Sequence, residues 1–315
     1  MNRALLIEQY LPVLAERVTI LGPEHYRIDS EVIPVRVPAM VRTLHQGFSL
    51  DFGANNRVHL VDKWQALVQQ LAADLYTRVY CGLSPAELDA PAPPIREKEQ
   101  FMNHLSAANT STEQPDRNWQ LIQTDSEVAT KNGLKRHLVA GNYYASAVQL
   151  PGQPPMVDFV RQPEKRQLQP AFYQAFSDCY FHTNCEVMNM YWSLQAEGAP
   201  QWVTLLTRQL NHYFVPFQLS CANHPSLYQL PECAVLSFDK QDLALVMRLI
   251  LPLAEQLQPH LKKEVPLFTK PIREGLGLAE DPGTGERHGE YMMKLLAERL
   301  LEGYLQPILL TSDKP

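Results

Sequence analysis

The chain has 315 residues, room for about two domains at ~150 residues each, and it is 45% hydrophobic against 20% charged, which excludes an intrinsically disordered polymer. Its 25 prolines against 14 glycines reverse the usual order and rule out collagen, Gly-rich linkers and a glycine-loop nucleotide machine as simple readings. A formal charge of -6 with no basic run argues against nucleic acid or an anionic membrane surface as a general partner.

In chain order, Leu5, Leu6, Tyr10, Leu11, Leu14 and Val18 recur at helical spacing and predict an amphipathic helix over about 3–18. Glu8 and Glu16 interrupt that apolar stretch, so it does not read as a signal peptide, and later apolar runs are far shorter than the ~20 residues of a membrane span. Residues 60–80 carry a second stripe, Leu60, Trp64, Leu67, Leu71, Leu75 and Val79, closed by Pro85. Together they predict a helical N-terminal region, 1–90. Pro91, Pro93 and Pro94 cannot sit in a helix interior or a central strand and mark a linker, 91–118.

From Trp119 the texture changes to short apolar runs broken by Asp125, Gly133 and Gly141, which predicts strands and turns over a domain of 119–315. Residues 151–170 hold five prolines and read as a surface connection, with a strand possible at Met156–Arg161. Strands are expected in 171–181, 187–194, 214–219 and 234–238, and helices over 198–211, 242–256 and 290–301. This order predicts an α+β fold: a helical N-terminal region, then a mixed or antiparallel sheet with packed helices.

The five cysteines, Cys81, Cys179, Cys185, Cys221 and Cys233, are odd in number and contain no CxxC pair, so neither a disulfide framework nor a zinc site is signalled and a reducing cytoplasm is the default. The histidines are scattered without metal-ligand spacing. Gly275-Leu276-Gly277 matches only part of a dinucleotide fingerprint and reads more simply as a tight turn. Neither a cofactor nor a metal is expected. Glu264 to Pro282 reads as a mostly irregular stretch with Lys270, Arg273, Glu280 and Asp281 between prolines, either a functional loop or an edge strand with solvated charges.

That segment, together with Arg208–Gln218 (RQLNHYFVPFQ), Ser237–Leu243 (SFDKQDL) and Met190–Gly198 (MYWSLQAEG), resembles the type III secretion effector HopA family. The family also occurs as stand-alone cyanobacterial proteins and as the lyase-like component of class V lanthipeptide and thioamitide pathways. The resemblance runs from about Trp119 to Tyr304. It implies a phosphothreonine-lyase-like α+β fold that grips a phosphorylated Ser or Thr and eliminates phosphate. Such chemistry needs cations, because a phosphate of roughly -1.5 to -2 charge must be held and its departure assisted.

At the positions the resemblance makes important, this chain departs from the pattern. In the strand 189–194 Tyr191 is kept, but Asn189 stands where the family has arginine and Ser193 where it has asparagine. Ser220 stands for a lysine. In the next motif Tyr228 is kept, Leu230 replaces an arginine and Glu232 an aspartate. In the last, Gly289 is kept and Met292 replaces an arginine. Four expected cations are neutral. Lys131, Lys270 and His137 remain as candidate catalytic groups, with Arg161, Asn189, Tyr191, Ser220, Tyr228, Leu230 and Met292 as candidate substrate-binding residues. Each has a structural alternative: Lys131 a solvated hairpin residue, Arg161 a strand-edge cap, His137 a core histidine on an apolar strand, and the altered cleft ordinary core packing.

Two functional expectations follow. The first is a lyase-fold protein that binds a peptide or protein partner, such as a precursor peptide or a kinase-like pathway protein, in ribosomal peptide modification, with elimination lost. The alternative is an active carbon-oxygen lyase or a repurposed peptide-modifying enzyme, so enzymatic activity stays open. Neither nucleic acid nor membrane is expected as a partner, and the expected location is the cytoplasm.

Overall fold

A computed structural model describes residues 3–35, 41–44, 47–51, 58–84, 87, 94–122, 127–146, 149, 151–169, 171–181 and 185–312. Pro85, Pro91, Pro93, Asp125 and Pro170 lie outside the described residues. The class is α+β, and the chain forms two compact units that interleave along the sequence: 1–92 with 230–232 and 264–315, and 93–229 with 233–263.

The first unit is built on helix α1 (Arg3–Arg17), α2 (Lys63–Leu75) and the last helix of the chain, His288–Ser312. In α2 Leu67, Leu71 and Leu75 fall four residues apart on one face and are fully buried, as the stripe predicts. They share a core with Met292, Met293, Leu296 and Ala297 of the last helix. The N-terminal region also contains strands. A meander of β1 (Val18–Gly22), β2 (His25–Ile28) and β3 (Glu31–Pro34) buries alternate residues, including Val18, Ile20, Tyr26, Ile28 and Ile33. A second meander joins β4 (Val41–Leu44), β5 (Gly47–Asp51) and β6 (Val58–Asp62). These strands have four or five residues each, too few for a period of two to emerge from the sequence.

After α2 the helix continues as a π-helical turn, Tyr76–Tyr80. Such turns are rare and are found frequently at functional sites. Part of the stretch read as irregular between 264 and 282 is an antiparallel hairpin, whose strands Lys270–Arg273 and Leu276–Glu280 are joined through Gly275 at φ 70°. The tight-turn reading of Gly275 therefore holds. At Gly277 a Cβ would stand 2.3 Å from Thr269 Oγ1, so close packing excludes any side chain there.

The second unit opens with α3 (Ile95–Ala108), within the stretch read as a linker. Its sequence is polar and only Leu105 is fully buried, so it carries little of the apolar stripe by which a helix is recognised. One five-stranded sheet follows, in the order β10 (Tyr143–Ala145), β11 (Met156–Arg161), β7 (Gln114–Leu121), β8 (Val128–Lys131), β9 (Leu134–His137). The expected strand at 156–161 is present. A further five strands lie in the order β12 (Glu164–Gln169), β13 (Phe172–Phe176), β15 (Phe217–Ala222), β16 (Ala234–Asp239), β14 (Val187–Trp192), all in antiparallel register. Strand β12 occupies part of the proline-rich connection; its polar sequence hid it. With it, the hairpin strands already given are β17 and β18.

Helices α4 (Ala199–His212) and α5 (Leu243–Gln256) belong to this unit, and the last helix is α6. Helix α4 buries Trp202, Val203, Leu206 and Leu210, and Trp202 meets Trp192 of β14 edge-on at 6.2 Å. A Cβ on Gly198, just before α4, would stand 2.4 Å from His260 Cβ, which fixes glycine at the entry to this helix.

Candidate functional site

Cross-strand partners share a sheet face. Register in the second unit aligns Asn189, Ser237, Gln218 and Phe176 in one row, and Tyr191, Val235, Ser220 and Gln174 in the next row of the same face. Three residues singled out from sequence, Asn189, Tyr191 and Ser220, are thus brought to one side of the sheet, opposite the side that Trp192 shares with α4. Asn189 is buried and its Oδ1 accepts a 2.7 Å hydrogen bond from Ser237 Oγ. Gln174 is buried, and its Oε1 has no hydrogen-bond donor among the described residues. The eight residues of these two rows carry no charge, but the second row continues onto the edge strand β12, where Lys165 pairs with Gln174 and lies over the Phe176 ring at 5.7 Å.

The remaining candidates are dispersed. Tyr228 is buried, with Oη donating to the Ala222 carbonyl at 3.0 Å, while Lys262 Nζ donates to its own carbonyl. Leu230, Lys270 and Met292 belong to the first unit, where Met292 is fully buried in the helical core and Lys270 is exposed at the start of β17. Lys131 Nζ donates to Asp116 Oδ1 at 2.8 Å and to the Arg117 carbonyl at 2.9 Å. Arg161 donates to the carbonyls of Cys179 at 3.1 Å and Ser177 at 2.5 Å and lies 3.8 Å above the Tyr180 ring. His137 is not a core histidine: it is exposed at the end of β9, with Nε2 3.4 Å from Glu127. In β9 it alternates with Arg136, so the two side chains take opposite faces of the sheet.

Sequence reasoning quoted Glu232 and Gly289 as motif positions without assigning them work. In the first unit Glu232 is buried, and its Oε1 accepts from both Tyr80 Oη and the Gly289 backbone N–H at 2.8 Å. Arg287 Nε stands 3.9 Å from the other carboxyl oxygen and Arg287 Nη1 donates to Tyr76 Oη at 3.3 Å. Burial pushes the Glu232 carboxyl above the usual carboxylate range, opposed by Arg287, the Gly289 N–H and Tyr80, and reinforced by Glu290. Burial also raises the Cys81 thiol to about 11, so it is not a nucleophile at neutral pH. A Cβ at Gly289 would fall 2.3 Å from the Tyr80 ring. The glycine and the carboxyl therefore join the π-helical turn to the start of α6. The sequence signal was the motif itself; its partner Tyr80 lies far outside it.

Between α2 and α6 the same unit has a cleft of about 450 Å³ lined by residues that include Tyr76, Glu286, Glu290, Lys294 and Glu298. Lys294 is paired to Glu286 at 3.0 Å, and this cleft is unsuited to a phosphate because its charged side chains are three carboxylates against that one lysine. Among the described residues no group of three or more metal-ligating side chains converges. No helix among them is long and apolar enough to cross a membrane.

The fold and these features define an α+β protein with antiparallel sheets and motif residues built into its core. Residues 163–309 match the model of the HopA1 effector protein family. Comparison with curated proteins found no match. Two solved structures are similar: the effector protein from Pseudomonas syringae pv. tomato strain DC3000, 16% identical over 76% of this chain and 85% of that one, TM-score 0.41, and the effector protein from Pseudomonas syringae pv. syringae strain 61, 17% identical over 76% and 87%, TM-score 0.38.

Proposed function

We propose that this chain binds a peptide or protein partner on the neutral face of the β12–β16 sheet and does not eliminate phosphate. The observation that carries the reading is the pair of rows through Asn189 and Tyr191. They hold amides, hydroxyls and a tyrosine where the resemblance expects an arginine and a lysine. Asn189, Tyr191 and Gln174 are buried, while Phe176, Gln218, Ser220, Val235 and Ser237 of the same rows are half-buried and offer an amide, two hydroxyls and apolar atoms to a peptide. Uncharged, partly aromatic surfaces with a few fixed polar groups suit neutral peptide segments.

Further support comes from the cations that remain. Lys131, Arg161 and His137 stand on the five-stranded sheet, not on the sheet that bears Asn189, Tyr191 and Ser220, and His137 takes the opposite face from Arg136. Loss of a single preorganised donor to a developing anion lowers a rate by ~10²–10³-fold, and four such positions are neutral. An effector-family name is consistent with a protein target, and a precursor peptide or kinase-like pathway protein fits the same face. Release of inorganic phosphate from phosphoserine and phosphothreonine peptides tests the proposal. No release is expected, whereas release that disappears in Lys270→Ala overturns it in favour of a lyase.

A further inference from the structure

The five-stranded sheet of the second unit carries a feature outside the family match, which begins at residue 163. On one face of it Trp119, Leu121, Ala129, Val157 and Phe159 form a small buried cluster. Two cations lie near its rings and a third over the neighbouring Tyr180. Arg136 lies 4.1 Å above Phe159, Lys131 stands 6.0 Å from the Trp119 ring, and Arg161 lies 3.8 Å above Tyr180. Their carboxylate partner is Asp116, shared between Lys131 at 2.8 Å and Arg136 at 3.7 Å. Arg161 has carbonyl partners, which hold its orientation without cancelling its charge.

Tyr143, which pairs with Phe159 on this face, and Tyr180 are 37% and 43% exposed. Tyr143 packs on Phe159 at 6.2 Å, and the Tyr180 hydroxyl is held above its ordinary range, chiefly by burial and then by Asp116, while Arg161 and Arg136 oppose this. Strand β10, which bears Tyr143, is one edge of the sheet. A chain of formal charge -6 thus gathers, among the described residues, three cations, two of them paired with one carboxylate, beside exposed aromatic rings.

We propose that this face docks an acidic peptide segment, its carboxylates meeting Lys131, Arg136 and Arg161 and its apolar atoms lying on the tyrosines. The guanidinium groups of Arg136 and Arg161 are already oriented by stacking, so little freedom is lost when carboxylates meet their N–H groups. A nucleic acid fits less well: three cations neutralise only a short stretch of phosphates, and the net negative charge of the whole chain opposes a long polyanion. The inference adds a second contact surface to the binding reading and rests on it. Phosphate elimination would overturn that reading whether or not this face binds, so the two failures are distinguishable.

The test is fluorescence anisotropy on the full chain with a labelled glutamate-rich peptide, its glutamine counterpart and a single-stranded oligonucleotide. The glutamate peptide is expected to bind, to weaken as salt is added, and to exceed the glutamine peptide by tenfold or more. Arg136→Gln should weaken it by about tenfold or more, the scale of one hydrogen bond to a charged group. Lys240→Gln, elsewhere in the same unit, should leave it unchanged. Arg161→Gln removes hydrogen bonds that order the chain, so Arg136→Gln, whose side chain is 38% exposed, is the primary variant, with its melting curve as the check on folding. Equal binding of the two peptides, full binding by folded Arg136→Gln, or tighter binding of the oligonucleotide would each overturn the proposal.

Discussion

Gly289, a kept motif position, and Glu232, which stands for the motif's aspartate, both serve structure. Oε1 of Glu232 accepts two hydrogen bonds, from Tyr80 and from the N–H of Gly289 at the start of α6. A carboxyl at a helix N-terminus meets both an unsatisfied donor and the positive end of the helix dipole. Its folded-state value is raised from the ordinary 4.5, chiefly by burial. The folded chain therefore holds this proton where the unfolded chain has released it. From pH 4.5 upward, until the raised value is passed, the contribution of this group to stability falls as pH rises. Glu232→Gln keeps an acceptor oxygen and removes the titration, so its melting temperature should fall less steeply with pH than that of the wild type; equal slopes would remove the buried carboxyl from this account. Gly289→Ala forces a Cβ into the Tyr80 ring and should cost about 1–3 kcal/mol in urea unfolding. Gly303→Ala, in the same helix with no heavy atom within 4 Å of the added Cβ, should be neutral or stabilising by up to ~1 kcal/mol.

At the scale of elements, helix α4 and the strand beside it show what burial contributes. Trp202 and Trp192 are fully buried and in contact, so Trp202→Ala should cost about 3–5 kcal/mol, measured by denaturant unfolding of the full chain. These elements were legible in the sequence because each repeats its apolar residues over enough length. The helices over 199–212 and 243–256 and the strands at 156–161, 187–192 and 234–239 fall within a few residues of their predicted bounds. Short or polar elements were not legible. The β1–β3 meander uses strands of four or five residues, α3 buries a single leucine fully, and β12 reads Glu-Lys-Arg-Gln-Leu-Gln. Helix α6 begins at His288, two residues before its predicted start, because the Gly289 N–H is capped by a carboxyl remote in sequence. The candidate face was legible in part: Asn189, Tyr191 and Ser220 were recognised as altered motif positions, but their sharing one face with Gln174 and Ser237 is set by strand register, which no single segment encodes.

For the whole molecule, the distribution of charge separates the surfaces. The charged side chains of the α2–α6 cleft are Glu286, Glu290 and Glu298 against Lys294, the β12–β16 face is neutral along its two central rows until Lys165 at its edge, and Lys131, Arg136 and Arg161 lie near aromatic rings on the five-stranded sheet. Within the residues that match the HopA1 effector family, positions expected to grip a phosphate are occupied by Asn189, Ser220, Leu230 and Met292, and Met292 is sealed in a core. A protein arranged in this way can hold a partner without stabilising a departing phosphate. The most direct measurement is mass spectrometry of phosphoserine and phosphothreonine peptides incubated with a stoichiometric amount of the full chain, a condition that detects even a single slow turnover. Both peptides should keep their phosphate throughout. Accumulation of dehydroalanine or dehydrobutyrine product, abolished by Lys270→Ala, would contradict the account.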